Sequence, residues 1–299
     1  MTDSSSDALW SQTVDTLSAV LPQLMALRGK TLVVKYGGNA MTDVSLQRAF
    51  AQDIALLQAL GITPVVVHGG GPQIEKALAA VGKEGRFVHG MRYTDDQTMQ
   101  VVQWVLAGQV QGEIVGLINA AGGRAMGLTG RDGGLFSATR LNLPDPIQPG
   151  VFHDVGWVGD IQKVDPAVIR DLQARGYVPV ISPIAVGENN QSFNVNADVV
   201  AGEIARALDA ERLLLLTNTA GVLDAQGALL KDLTPAMVDA MVKDGSISGG
   251  MLPKIASALD SARSGVRSVH IMDGRVPHAL FREAASPQGT GTVVRPDAA

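Results

Sequence analysis

Apolar and polar positions alternate along this chain with two different periods. From Trp10 the apolar residues Trp10, Val14, Leu17, Leu21 and Leu24 return every three or four positions, the spacing of one helix face, with Pro22 as the place where such a helix would kink. A helix ahead of a complete domain must bury its stripe, either on that domain or on another subunit. Short apolar runs follow at Thr31 to Tyr36, Thr63 to His68, Val178 to Ser182, Leu213 to Thr217 and Ser268 to Met272, as expected of strands buried on both faces of a parallel sheet. Helical patterns lie between them: Phe50, Ile54 and Leu57 share one face, and Met99, Val102 and Leu106 another. The alternation predicts an α/β fold, a three-layer αβα sandwich around a mostly parallel central sheet.

Residues 123–163 break this rhythm. They are rich in Gly and Pro, with short pieces such as LFSATR and VGWVGDIQKVD, and predict hairpins and a lid-like elaboration. No repeat, low-complexity tract or linker composition appears, so any division is between lobes, near residue 185.

Composition narrows the function classes. The 24 basic and 29 acidic residues give a net charge of −5, with no basic stretch to neutralise a run of phosphates, which argues against nucleic-acid binding. A small anion held by a few lysines remains compatible with that balance. The absence of cysteine excludes disulfides, thiolate catalysis and sulfur-ligated zinc, and suits a reducing cytoplasm. The five histidines are scattered, with no pair at helical metal spacing, so no metal site built from protein side chains is expected. The start MTDSSSDALW lacks a basic region followed by an apolar core, and no run approaches the roughly 20 apolar residues of a membrane helix. The expectation is a cytoplasmic enzyme without membrane contact.

Ligands of open parallel sheets bind beyond the carboxyl ends of the strands, and two of those ends are glycine-rich. The first strand leaves through Lys35-Tyr36-Gly37-Gly38-Asn39, the second through His68-Gly69-Gly70-Gly71-Pro72 into a helical pattern. Consecutive glycines let the backbone approach an anion, and free N–H groups at a helix start favour negative charge. A lone Gly-Gly would be only a tight turn; two after successive strands, one preceded by a lysine, point to phosphate or carboxylate binding. Neither matches a P-loop or a dinucleotide fingerprint. Lys254, after Gly249 and Gly250 in GGMLPK, repeats the arrangement at a second helix start, so Lys35 and Lys254 would form a two-sided cationic clamp.

In Asn194-Val195-Asn196-Ala197-Asp198 one residue serves as a helix cap, and the cluster exceeds that need. Asp198 could organise the two lysines or a magnesium ion, while Asn194 or Asn196 could bind a substrate carboxylate. Arg92 is a candidate for bidentate carboxylate recognition, and the turn from Asn218 through Gly221 to Val222 is placed to take a nucleotide. The residues alone thus point to phosphoryl transfer from ATP to a small carboxylate.

The strings GKTLVVKYGGNAM, VVVHGGGPQI, GMRYTD, GLTGRDGGL, VGDIQKVD, NVNADVVAGEIA and GGMLPKI, in this order from about Leu17 to Thr292, resemble the acetylglutamate kinase family of the amino-acid kinase superfamily. The resemblance implies the amino-acid kinase fold, with residues 1–28 an oligomerisation helix, 29–185 a lobe binding N-acetyl-L-glutamate and 186–299 a lobe binding ATP. It implies that Lys35 and Lys254 stabilise the transferring phosphoryl group and that Asp198 holds them in place. Gly37, Gly38, Gly249 and Gly250 would lie along the phosphates, Asn218, Gly221, Val222 and Leu223 beside the nucleotide, and Mg2+ mainly on the nucleotide phosphates. Gly70, Gly71, Arg92 and Asn194, with Asn196 in reserve, would grip the acetylated amino acid. Arginine-inhibited members suggest a homohexamer built as a trimer of dimers and an effector site for L-arginine at His278, Glu283 and Gly289; a nitrogen-signalling protein is a further candidate partner. The alternatives are a kinase of glutamate or aspartate on the same fold, and a non-catalytic amino-acid sensor.

Overall fold

Successive residues of the strand Thr31–Tyr36 face opposite sides of a sheet, and both sides are buried: Leu32, Val34 and Tyr36 enter one apolar cluster and Val33 the other. The computed structural model describes residues 4–145, 148–247, 252–286 and 288–297, without the side chains of 4–9, 39 and 252–254. Its elements are α1 (Ser4–Ala26), β1 (Thr31–Tyr36), α2 (Val44–Ala59), β2 (Thr63–His68), α3 (Gly71–Ala80), β3 (Phe87–Val88), β4 (Met91–Arg92) and α4 (Asp96–Gln103). A π-helical stretch, Trp104–Val110, joins α4 to α5 (Gln111–Ala120), followed by β5 (Ala125–Leu128), β6 (Phe136–Pro144), β7 (Phe152–Val164), α6 (Ala167–Ala174), β8 (Val178–Ile181), β9 (Ile184–Val186) and β10 (Ser192–Asn194). The remainder comprises α7 (Ala197–Ala207), β11 (Arg212–Thr217), β12 (Asp232–Leu233), α8 (Pro235–Lys243), α9 (Leu252–Arg263), β13 (Val269–Asp273), α10 (Ala279–Ala285) and β14 (Thr292–Val294).

Eight strands form one sheet in the order β12-β14-β13-β11-β1-β2-β8-β5, parallel except where β14 runs against β13. One face is covered by α2, α3, α5 and α10, through residues such as Phe50, Ile54, Leu57, Leu78, Ile118 and Leu280; the other by α6, α7, α8 and α9, through Ile169, Val200, Ile204, Val238 and Leu259. These are the expected three layers. Each fully buried aliphatic side chain is worth about 1.5–3 kcal/mol over leaving it in water, so truncating one such as Leu57, which has no exposed surface, costs about 2–5 kcal/mol.

Two departures from the sequence reading concern short strands. β5, assigned to the hairpin region, pairs in parallel with β8 as a sheet edge. β12 and β14 add a second short edge beyond β13. The expected hairpin is β6–β7, but it closes with β9 and β10 into a small four-stranded barrel, and residue 185 lies inside β9 rather than between elements.

The continuous helix Asp96–Ala120 is 25 residues long and, by length and composition, apolar enough to cross a membrane, which the sequence reading overlooked. In this fold Met99, Val102, Leu106, Val110, Ile114 and Ile118 lie in the core, with α4 and the π-helical stretch against α3 and α5 against α2.

Candidate active site

Strand alternation puts Lys35 on the same side of the sheet as Val33, the side covered by α7. Its ammonium Nζ lies 3.1 Å from Oδ1 of Asp198 in the first turn of that helix. Both side chains keep contact with solvent, at 16% and 29% exposure, so the pair lines a crevice instead of filling the core. β1 is central in the sheet, between β11 and β2, and the three run parallel, so their carboxyl ends and following turns meet at this crevice.

The turn after β1 is held from both sides. Tyr36 stacks on Phe50 with ring centroids 3.7 Å apart, and its hydroxyl donates to the Ala40 carbonyl at 2.8 Å. Gly37 covers the Lys35 side chain so closely that a Cβ there would meet Nζ at 3.1 Å. Gly38 has φ +69°, and a Cβ would lie 2.9 Å from Oδ1 of Asn218, so the turns after β1 and β11 touch through a position that requires glycine. Gly70 caps α3, with Pro72 in the first turn; a Cβ at Gly70 would stand 2.5 Å from Cδ2 of Leu106, while Gly71 faces open space.

The NVNAD cluster divides its labour. Asn196 is the N-cap of α7, its Oδ1 accepting from the Asp198 N–H at 2.8 Å. Asn194 ends β10 and donates through Nδ2 to the Thr94 hydroxyl at 3.2 Å, and that hydroxyl donates to the Arg92 carbonyl at 2.9 Å. Asn194 and Arg92 are therefore linked across Thr94, a fully buried residue to which the sequence reading gave no role. The Arg92 guanidinium is fixed by an ion pair with Glu75 and by stacking 4.7 Å over the Phe87 ring.

A second group of side chains went unread because its members are far apart in sequence. His68 Nε2 and Gln111 Nε2 each lie 2.9 Å from Oγ of Ser182, and Ser182 Oγ is 3.1 Å from the Leu106 carbonyl. Gln111 also donates to the Leu128 and Val180 carbonyls. This buried network ties the ends of β2, β5 and β8 to the π-helical stretch, whose Leu106 packs on Gly70. Burial drives the His68 pKa down to about 4, so the ring is neutral and structural.

Gly249 and Gly250 lie outside the described residues. Lys254 falls in the first turn of α9, and its side chain is outside them too. Val222 is fully buried and its N–H donates to the Thr292 hydroxyl at 2.8 Å; Gly221 is pressed against the same Thr292, and Leu223 bridges to Leu229. These three shape the turn from behind.

The predicted effector trio is not assembled as expected. His278 pairs with Asp53 of α2 at 2.7 Å, away from Glu283 and Gly289. Glu283 has no exposed surface: it takes bonds from His270 Nδ1 at 2.6 Å, the Thr290 N–H at 2.5 Å and the Thr290 hydroxyl at 2.7 Å. Burial pushes its pKa up, but the bonds from His270 and Thr290 outweigh that and leave it at about 2. The histidine beside Glu283 and Gly289 is His270, and next to it opens a polar pocket of about 240 Å³ lined by Arg212, His270, Gln288, Gly289 and Arg295.

Residues 30–273 match the amino acid kinase family. An acetylglutamate kinase from Polaromonas sp. is 59% identical over 94% of this chain and 92% of its own length. Among solved structures, an N-acetylglutamate synthase from Neisseria gonorrhoeae complexed with coenzyme A and N-acetylglutamate superposes with a TM-score of 0.81 at 25% identity, covering 96% of this chain and 64% of its own. A second structure of that synthase, complexed with coenzyme A and L-arginine, gives 0.77 at 24% identity, covering 94% of this chain and 65% of its own. A carbamate kinase from Giardia lamblia bound to AMP-PNP shares the fold at a TM-score of 0.61 and 18% identity, covering 90% of this chain and 99% of its own. With the lysine, the acidic residue and the glycine turns at one sheet edge, the chain belongs to the amino acid kinase family and, within it, to the acetylglutamate kinases.

Proposed function

We propose that the enzyme transfers the γ-phosphoryl group of ATP to the γ-carboxylate of N-acetyl-L-glutamate, giving N-acetylglutamyl 5-phosphate and ADP, the second step of arginine biosynthesis. The observation that carries this reading is the Lys35–Asp198 pair at the central strand, flanked by two glycine turns, in a chain 59% identical to an acetylglutamate kinase.

The acceptor is anionic at neutral pH, since a Glu carboxyl has a pKa of about 4.3, and needs no base. A carboxylate oxygen attacks the γ-phosphorus, the O–P bond forms as the bond to the β,γ-bridging oxygen breaks, and ADP leaves with that electron pair. The protein's work is alignment and charge offset. Lys35 faces the transferring group and Asp198 fixes its position. Lys254, from the first turn of α9, completes the clamp. Arg92, held by Glu75 and Phe87, takes the substrate's α-carboxylate, and Asn194, held by Thr94, takes the remaining polar groups. Mg2+, carried mainly by the ATP phosphates, would offset their charge.

In this reading residues 29–185 hold the acetylated amino acid and residues 186–299 the nucleotide. Feedback by L-arginine would use the pocket beside His270, where Arg212 and Arg295 suit its carboxylate. Assembly into a hexamer would use α1, whose Trp10, Val14, Leu17 and Leu21 are exposed. Initial rates with N-acetyl-L-glutamate, L-glutamate and L-aspartate test the acceptor: N-acetyl-L-glutamate should lead in kcat/KM by at least about 100-fold. An equal or reversed preference would remove the assignment.

A further inference from the structure

Three metal-ligand side chains converge away from the catalytic crevice, at the tips of two hairpins. His89 sits in the β3–β4 turn with left-handed backbone (φ 45°), Asp145 directly follows β6, and His153 lies near the start of β7. The histidines are scattered along the sequence, but the fold brings together two that stand 64 residues apart.

His89 Nε2 is 3.2 Å from His153 Nε2 and 3.6 Å from Asp145 Oδ2, and His153 Nε2 is 2.7 Å from the same oxygen. Ligand atoms bound to a tetrahedral ion at about 2.0–2.2 Å stand about 3.3–3.6 Å apart; two of the three separations are close to that edge, and the third closes to it with a small rotation of the exposed His153 ring. An ion about 1 Å out of their plane would lie about 2.1 Å from each. Asp145, with its side chain only 9% exposed, receives the Gln148 N–H on Oδ1 at 2.7 Å, which turns Oδ2 toward the imidazoles as an outer partner does in metal centres. His89 and His153 are 38% and 32% exposed, which leaves an entry path and room for water as a fourth ligand. With both imidazoles neutral and their Nε2 atoms deprotonated, a divalent cation would engage the three lone pairs at once.

We propose that His89, Asp145 and His153 form a binding site for a zinc-type divalent cation, separate from the Mg2+ that accompanies ATP. Two nitrogens and one carboxylate oxygen with an open position suit a first-row transition ion better than Mg2+. The bound ion staples the β3–β4 hairpin, which carries Arg92, to the β6–β7 hairpin.

The test is calorimetric titration of the full chain with Zn2+ in the absence of nucleotide, with Co2+ absorption as a second readout. The expected result is one Zn2+ per chain at micromolar or tighter Kd, and visible Co2+ bands of a four-coordinate site. His89→Ala and Asp145→Asn should each weaken binding by about 10- to 100-fold, and His278→Ala should leave it unchanged. His89→Gln, which keeps side-chain volume, provides the same test if His89→Ala folds poorly by circular dichroism. Absence of stoichiometric binding at 100-fold excess Zn2+, or undiminished affinity in His89→Gln combined with Asp145→Asn, would overturn the proposal.

Discussion

Lys35 Nζ lies 3.1 Å from Asp198 Oδ1, so the central strand and the helix covering it meet in one ion pair at the carboxyl edge of the sheet. Removing a preorganised charge that acts on the transition state costs roughly 10²–10³ in kcat. Lys35→Ala should lower kcat by that factor and leave the circular dichroism spectrum unchanged. Asp198→Asn keeps the shape but releases the ammonium, and a misplacement of about 1 Å costs up to 10²-fold. Steady-state kinetics separate the two; near-normal kcat in Lys35→Ala would take the residue out of the chemistry.

The back of the nucleotide turn should be intolerant of any side chain. Gly221 has φ +155°, and a Cβ there would sit 2.5 Å from the Thr292 hydroxyl and 2.9 Å from the Thr292 backbone nitrogen. Gly221→Ala should destabilise the fold by about 1–3 kcal/mol and raise the KM for ATP more than that for the acceptor. Denaturant midpoints and paired KM values check this, and unchanged midpoints would show that Thr292 yields freely.

How much of this was legible in the sequence depended on whether the determining partner was near in the chain. β1 and β2 stand out because their inner residues, Leu32 to Val34 and Pro64 to Val67, are apolar without interruption, and the glycine turns follow directly. β5, the four residues AMGL with a glycine inside, and β14, the three residues TVV, are too short for any period to emerge. The cluster at Asn194 to Asp198 was visible, but only backbone geometry separates the cap Asn196 from Asn194. Glu283 reads in the sequence as an effector-site carboxylate, since nothing adjacent announces that His270 and Thr290 turn it inward. Gln111, Ser182 and His68 are ordinary polar letters until the sheet places them in contact.

That buried network gives acid sensitivity a definite sign. His68 titrates near 6.5 when unfolded and near 4 when folded, because burial disfavours the imidazolium. Between those pH values the unfolded chain binds a proton that the folded chain does not, so stability falls as pH drops, by about 2 kcal/mol at pH 5 and about 3 kcal/mol by pH 4. Glu283, held near 2, has the depressed-carboxyl behaviour: its contribution is present above about pH 4.5 and is lost as pH falls below that. Urea unfolding of His68→Gln between pH 7 and 5 should show a shallower loss than the parent; parallel curves would assign the acid sensitivity elsewhere.

The helix α1 leaves Trp10, Val14, Leu17, Leu21 and Met25 exposed, while its Leu24 and, in the turn that follows, Leu27 pack on the domain. The proposed assembly would cover this stripe with a partner helix. Leu17→Glu combined with Leu21→Glu should reduce the mass measured by light scattering to that of a smaller assembly, with the acceptor KM little changed. A mass equal to the parent's would contradict assembly through this helix.

The proposed reaction transfers a phosphoryl group from ATP to the side-chain carboxylate of N-acetyl-L-glutamate at the Lys35–Asp198 edge. Phosphorus NMR of ATP, Mg2+ and acceptor tests it most directly, with the enzyme and with its Lys35→Ala variant. The expected result is an acyl-phosphate resonance and ADP in equal amounts, dependent on N-acetyl-L-glutamate and suppressed in the variant. ADP with only inorganic phosphate from the earliest time points, or the acyl phosphate formed as fast by Lys35→Ala, would contradict it.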